Sequence, residues 1–371
     1  MRPVLSFGVA AAVAGTALCG PATATAATIA GCDTAHGAAN GFDPGRLYAA
    51  LSAFQSGSAN LHGLVIERRG ASVAECYRSG KDKPVFSMFS HTVDFDAATR
   101  HDLRSVSKSV TGLLWGIALA ERKVPPPDAR VLDLLPDLAD LRKEGRQDIT
   151  IGNLLDMTGG LAWDESGPYG LRNPEFGLYW RGAQARYVFK RPMASPPGQR
   201  FNYNGGGTAV LAELLQQGTG MALPEYARER LFTPLGITDW EWLTDFRGRP
   251  LAFAGLRMRP RDLARIGQLM LQRGRWNGAQ VVPADWIDAS LQPHVDTGDG
   301  LQYGYQWWHG KTRALGREQA WTAAFGNGGQ RLFVVPSLGL VVVLTAGMYN
   351  DEGGAVRVNR LFDQIAAAVE R

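Results

Sequence analysis

The sequence predicts an α/β (α+β) fold: an antiparallel sheet flanked by helices, interrupted by a mainly helical subdomain. Three observations carry this. Strand-like runs lie towards both ends of the chain, "HGLVIERRGASVAECYRSG" from His62 and "QRLFVVPSLGLVVVLTAG" from Gln330. Helical periodicity broken by Gly/Pro-rich loops fills the stretch between them. A length of 371 residues, 45% apolar and 20% charged, makes a globular chain with a sizeable core. The expected division is a signal segment at 1–26, a sheet domain from 27–125 and 250–371, and a helical subdomain at 126–249.

The elements follow in order. Arg2, the short apolar run "VLSFGVAAAVAGTALCG" and the small-residue tail "PATATAAT" are the three parts of a secretory signal. Ala24-Thr25-Ala26 fits its cleavage rule, which predicts a secreted or periplasmic protein beginning near Ala27. The run is too short and alanine-rich for a membrane span, and Leu18 before Cys19 does not suit a lipid anchor, so no stable membrane anchor is expected. Cleavage leaves Cys32 and Cys76, which an exported protein can pair as a disulfide.

The segment from His62 reads as two strands around a turn at 69–71. After a polar loop, "RSVSKSVTGLLWGIAL" (Arg104–Leu119) carries Val106, Val110, Leu113, Leu114 and Ile117 at buried-helix spacing, and Pro125–Pro127 stops it. "ITIGNLLDMTGGLAW", "GGTAVLAELLQQGTG", "LPEYARERLFTPLGI" and "PRDLARIGQLMLQRG" each read as a helix. Two apolar strands joined by a tight turn at Ser337 follow, and an amphipathic helix at about 355–369 closes the chain. The net charge of +4 comes without a dense basic run, so nucleic acid is not an expected partner.

Ser105 and Lys108 stand three apart at a helix start, on one face. A serine hydroxyl is a poor nucleophile until a neighbour assists removal of its proton. A desolvated lysine can do so with a lowered pKa, or as a cation that holds a second base anionic. Taken alone, the pattern also reads as an N-cap serine and a lysine reaching for solvent. Two facts weigh against that. This is the sole Ser-x-x-Lys in the chain, and it heads a strongly apolar helix where an idle lysine is costly.

Tyr203, in "PPGQRFNYNGGGTAVLAELL", precedes a glycine run and a helix. Beside a lysine, a tyrosine can act as general base; alone, it reads as a core residue. Gly326, Gly328 and Gly329 of "AFGNGGQRLFVVP" precede an apolar strand. They permit either close approach of a substrate to the backbone or simply a turn.

These three elements, in this order, resemble the penicillin-recognising serine hydrolases of the class C β-lactamase-like branch. "HDLRSVSKSVTGLLWGIAL", "ITIGNLLDMTGGL", "PGQRFNYN", "LFTPLGI" and "GNGGQRLFVVPSLGLVVVLTAG" look especially like the subgroup of 6-aminohexanoate-dimer hydrolase and related esterases. The resemblance runs from about His62 to the C-terminus. It implies a β-lactamase/transpeptidase-like fold, Ser105 as acyl-accepting nucleophile, Lys108 as its activator and Tyr203 as general base. It also implies an oxyanion hole from the N–H groups of Ser105 and Gly329. Substrate contacts would come from Gly326, Asn327, Gly328 and Asn204. By their place between the motifs, Trp163, Tyr169 and Trp180, and Trp307 and Trp308 just before the third motif, are candidates for pocket walls, although such aromatics are more often core residues.

Two departures matter. Gly205 stands where the family often has Asn or Ser, a contact Asn204 would have to supply. Gly326 stands where class C β-lactamases carry the lysine that anchors the β-lactam carboxylate. The expected activity is therefore hydrolysis of a small amide or ester. The competing readings are a true β-lactamase and a non-catalytic peptidoglycan- or penicillin-binding relative. Other hydrolase signatures are missing: there is no G-x-S-x-G, no phosphate loop, and no metal-ligand spacing among the six histidines. No cofactor or metal is expected.

Overall fold

The computed structural model of the chain describes residues 29–34, 40–166, 170 and 172–370. The signal segment and Tyr169 lie outside the described residues. A nine-stranded sheet forms the centre. Its strands are β1 (Cys32–Asp33), β2 (Leu61–Arg68), β3 (Ala71–Tyr77), β4 (Val295–Asp296), β5 (Gln302–Gly304), β6 (Trp307–Ala314), β7 (Arg317–Gly326), β8 (Gln330–Val335) and β9 (Leu340–Ala346). Their order is β1-β3-β2-β9-β8-β7-β6-β5-β4, and every pairing is antiparallel. The two ends of the chain thus meet at β2–β9, where Val343 pairs with Val65. Every residue of β9 is buried, which explains a continuous apolar run rather than an alternating one.

Helices cover both faces. On one, α1 (Pro44–Ser56) and α5 (Glu352–Ala367) enclose Phe54, Phe333, Val342 and Phe362. On the other, α2 (Val106–Ala120), α3 (Gly205–Thr219) and α4 (Pro260–Leu271) share a larger core that includes Val65, Leu332 and Val334. The alternation of β8 is direct: Leu332 and Val334 face α2 and α4, whereas Phe333 and Val335 face α1 and α5. The helix α1 begins on Asp43, whose carboxylate accepts from the Arg46 N–H at 2.7 Å, with Pro44 in its first turn. A disulfide joins Cys32 and Cys76, which are register partners between β1 and β3.

The structure departs from the expected elements in two places. The helix expected over Ile149–Trp163 is confined to Ile151–Leu155 by a Thr150 capping box and by Met157, whose φ of 58° is left-handed. The expected boundary at 249/250 falls between the paired strands Trp240–Trp242 and Leu256–Met258. The larger core also runs without a break from α2 through Leu154, Leu161 and Phe189 to α4. The helical segment is therefore seated on the sheet's α2 face and shares its core.

Candidate active site

The site is built at the head of α2. Arg104 has a φ of 52°, a sparsely populated conformation for a side-chain-bearing residue. The segment is laced in place: Leu103 N–H donates to the Leu256 carbonyl at 3.0 Å, the Leu256 N–H donates to Ser107 Oγ at 2.9 Å, and Ser107 Oγ donates to the Arg104 carbonyl at 2.6 Å. Ser105 takes the N-cap position, yet its side chain makes no capping bond. Its Oγ instead accepts from Lys108 Nζ at 2.9 Å.

Lys108 is 1% exposed, so it does not reach for solvent. Its ammonium also donates to the Phe253 carbonyl at 3.0 Å and lies 3.7 Å from Glu175 Oε2 and 4.8 Å from the centre of the Tyr203 ring. Burial, the largest influence, works to lower its pKa. Tyr203 when ionised, and the Glu175 and Glu165 carboxylates, outweigh it, and the pKa ends above its ordinary value. Of the two lysine roles left open by the sequence, the surroundings select the cation.

The half-buried Tyr203 reaches the same point from the turn before α3, with its ring against the Lys108 ammonium and its hydroxyl within electrostatic reach of Ser105 and Lys108. Its ring stacks on Trp308, with centroids 5.6 Å apart. Burial raises its pKa and Lys108 opposes the rise. At rest the pair is therefore an ammonium and a neutral phenol. A buried hub holds these helices together. Gln306 Oε1 accepts from Thr208 on α3 at 2.7 Å, its Nε2 donates to the Leu154 and Leu155 carbonyls at 3.0 and 2.9 Å, and its backbone carbonyl accepts from Ser109 on α2 at 2.6 Å.

Two carboxyl groups beside the lysine were not singled out in the sequence. Glu165 and Glu175 lie side by side at Gly205, and Glu165 Oε1 accepts from Trp163 Nε1 at 2.6 Å and from the Gly205 N–H. Desolvation first, and then the neighbouring Glu175, push Glu165 up to about 8. The pair also accounts for Gly205. A Cβ there would stand 2.7 Å from Glu175 Oε2 and 3.0 Å from Glu165 Oε1. Glutamates occupy the space that a side chain at position 205 would need. No spacing rule links Glu165 to Glu175; only the glycine departure signalled that something else fills the position.

Several expected contacts find other work. Asn204 is the N-cap of α3, its Oδ1 accepting from the Gly207 N–H at 3.1 Å, which leaves only its amide N–H groups for a substrate. Trp163 is a core residue that orients Glu165. Trp180 packs on Phe176 and Trp307 is fully buried, leaving Trp308 as the tryptophan against Tyr203. Asn327 is tied to Asn350, its Nδ2 donating at 2.7 Å. Gly328 and Gly329, with φ of 93° and 96°, form the hairpin turn between β7 and β8. Gly329 faces Ala346, Met348 and Val358, whereas Gly326 meets the nucleophile's segment: a Cβ on it would lie 2.3 Å from the Leu103 carbonyl oxygen. Close approach at Gly326 is thus by the protein's own backbone. Arg331, on the same face of β8 as Phe333, donates to Asn359 on α5 at 3.2 Å and to the Gly326 carbonyl at 3.1 Å. Lys311 pairs with Glu318 at 3.0 Å on an exposed strand. Neither is placed as a substitute for a lysine at 326. An aromatic wall, Phe253–Tyr179–Phe86–Phe246, runs outward from Lys108 to the exposed Phe86 and Phe246.

The beta-lactamase family model matches residues 61–370. The chain belongs to the beta-lactamase family. It is a hydrolase of the serine β-lactamase-like kind. The 6-aminohexanoate-dimer hydrolase of Paenarthrobacter ureafaciens is 28% identical over 298 residues, 74% of this chain and 70% of that protein. Among solved structures, EstCE1, a hydrolase with promiscuous acyltransferase activity, superposes with a TM-score of 0.65 at 17% identity, over 86% of this chain and 98% of its own. A family VIII carboxylesterase superposes with a TM-score of 0.65 at 14% identity, over 85% and 96%. At these identities the two structures speak for the fold alone.

Proposed function

We propose that the protein is an exported serine hydrolase that cleaves small esters or amides through an acyl-enzyme on Ser105. The observation that carries this is the bond from Lys108 Nζ to Ser105 Oγ, with the Tyr203 ring 4.8 Å from the same ammonium and the serine unspent on capping. The resting phenol releases one proton to reach the reactive form, a phenolate stabilised by the adjacent ammonium. Ser105 Oγ then attacks the carbonyl carbon as its proton passes to Tyr203, which returns it to the leaving group. The Ser105 N–H, at the head of α2, points positive potential at the developing oxyanion. Water repeats the sequence on the acyl-enzyme. The aromatic wall suits an apolar acyl or leaving group.

Export is supported by the signal-like segment and by the Cys32–Cys76 disulfide, a bond of oxidising compartments. Intact mass of the secreted protein is expected to place its first residue near Ala27.

Ester turnover is expected to exceed β-lactam turnover. With Gly326 in the third motif, the buried Arg331 spent on Asn359 and on the Gly326 carbonyl, and Lys311 paired with Glu318, a β-lactam carboxylate lacks its cationic anchor. One lost charge-assisted hydrogen bond costs about 1.5–3 kcal/mol, roughly one to two decades. Steady-state kinetics with p-nitrophenyl butyrate and a chromogenic cephalosporin test this. A kcat/KM for the cephalosporin above that for the ester would reverse the assignment.

A further inference from the structure

A second buried polar cluster lies behind the nucleophile's segment. His62 on β2, Asp82 at the end of the short strand Gly80–Asp82, and His101 on the short strand His101–Asp102 come together from three parts of the chain. All three are buried, and one ligand atom from each lies within 4.8 Å of the others. Their separation in sequence is why no metal-ligand spacing was visible among the histidines.

The hydrogen positions follow from the fixed partners. Asn60 is locked by Lys81: the Lys81 N–H donates to Asn60 Oδ1 at 3.0 Å, and Asn60 Nδ2 donates to the Lys81 carbonyl at 2.6 Å. The atom facing His62 Nε2 at 3.2 Å is therefore an acceptor oxygen, which favours the proton on Nε2. His101 Nδ1 faces the Asp102 carbonyl at 3.0 Å and requires its proton there. A neutral imidazole has one N–H to give. Both are spent outward. His62 Nδ1 and His101 Nε2 then present bare lone pairs to each other at 2.8 Å, an arrangement that needs positive charge between them.

We propose that this positive charge is a first-row divalent transition-metal ion of the zinc class, bound by His62 Nδ1, His101 Nε2 and the Asp82 carboxylate. A shared proton would lie on the line between the nitrogens and meet Asp82 only as a nearby charge, since all four ring nitrogens already have partners. A metal ion is reached by all three groups. Each ligand has the outer partner that orients metal ligands: Asn60 Oδ1 for His62, the Asp102 carbonyl for His101, and the Tyr349 hydroxyl, which donates to Asp82 Oδ1 at 2.6 Å. Glycines cradle the ring. A Cβ at Gly80 or Gly347 would stand 2.5 Å or 2.7 Å from His62 ring atoms. Two imidazoles and one carboxylate select zinc, cobalt or nickel over calcium or magnesium. Metal–nitrogen bonds of about 2.0–2.1 Å in a tetrahedral site set the nitrogens roughly 3.3 Å apart, so binding parts the rings by about half an ångström. The ion would brace β2 against the segment that enters Ser105, alongside Arg104, whose guanidinium lies 4.5 Å from the Tyr349 ring centre.

The test uses the mature protein with no turnover readout, so it is independent of the proposed hydrolysis. Protein stripped by a chelator is titrated with Zn²⁺, its metal content is measured after gel filtration, and its Tm is followed. About one equivalent is expected to be retained, with Tm raised by several degrees. Asp82→Asn and His62→Gln, checked for folding by circular dichroism, are expected to bind at least about tenfold more weakly. The Co²⁺ form should show a visible d–d band that both variants lose. Zinc that passes through the wild type with Tm unmoved overturns the proposal. So does retention unchanged in both variants, or an imidazole ¹⁵N spectrum that shows one doubly protonated ring and ignores Zn²⁺.

Discussion

The two buried polar clusters flank the same five residues, 101–105, and solve one electrostatic problem differently. Around Ser105, the acceptors Ser105 Oγ, the Phe253 carbonyl and Glu175 Oε2 converge on a cation that the chain itself supplies, Lys108. Around His62, three lone-pair donors converge with no lysine or arginine among them. The difference teaches how to read buried acceptors. Where a covalent cation already sits at the focus, the cluster is complete and its chemistry lies at its edge, at the serine. Where the focus is bare, the complement comes from outside the chain.

The comparison is broken most severely by removing the internal cation or its partner. Lys108→Ala and Tyr203→Phe are each expected to lower ester turnover by about 10²–10⁴-fold, the usual contribution of proton-transfer assistance. The double variant should be little worse than the worse single one, because the two act as a unit. Near-wild-type turnover of Tyr203→Phe would remove the tyrosine from the mechanism.

A stability effect comes next. Lys108→Met leaves the adjoining carboxyl pair without its counter-charge, and removal of one partner from a buried ion pair costs about 3–5 kcal/mol. Denaturant unfolding should show this, and adding Glu165→Gln and Glu175→Gln should restore most of the loss. A single-variant cost below about 1 kcal/mol would mean that Lys108 is not what balances the glutamates.

The smallest expected effect is a pH slope. Glu165 titrates near 8 in the folded protein and in the ordinary carboxylate range when unfolded. Between those values the folded state holds the extra proton, so the Glu165 contribution to stability falls as pH rises through about 8. Its slope is at most about 1.4 kcal/mol per pH unit. Glu165→Gln should flatten it, and the Tm gap between variant and wild type should shift in the variant's favour from pH 6 to pH 9. Parallel Tm curves would show that Glu165 ionises without cost.

What the sequence conveyed and what it concealed divide along the same line as the clusters. Ser105 and Lys108 are one helical turn apart, so local periodicity brings their side chains together, and Tyr203 is placed by the helix it introduces. Both end strands were readable because full burial on two faces writes an uninterrupted apolar run such as Leu340–Leu344. Contacts across long separations left no such trace. Glu165 meets Gly205, and His62 meets Asp82 and His101, only after the sheet closes. Asn204 was ambiguous for a local reason: an asparagine before a glycine-led helix is as good an N-cap as a substrate contact, and its Oδ1 here serves as the cap.

The central claim is that Ser105 becomes acylated. Intact-protein and peptide mass spectrometry after brief exposure to a fluorophosphonate, and after rapid acid quench of a p-nitrophenyl ester reaction, tests it most directly. The account predicts one stoichiometric adduct on the peptide bearing Ser105, lost in Ser105→Ala together with turnover. Ester hydrolysis that persists in Ser105→Ala, or an adduct confined to another residue, would contradict it.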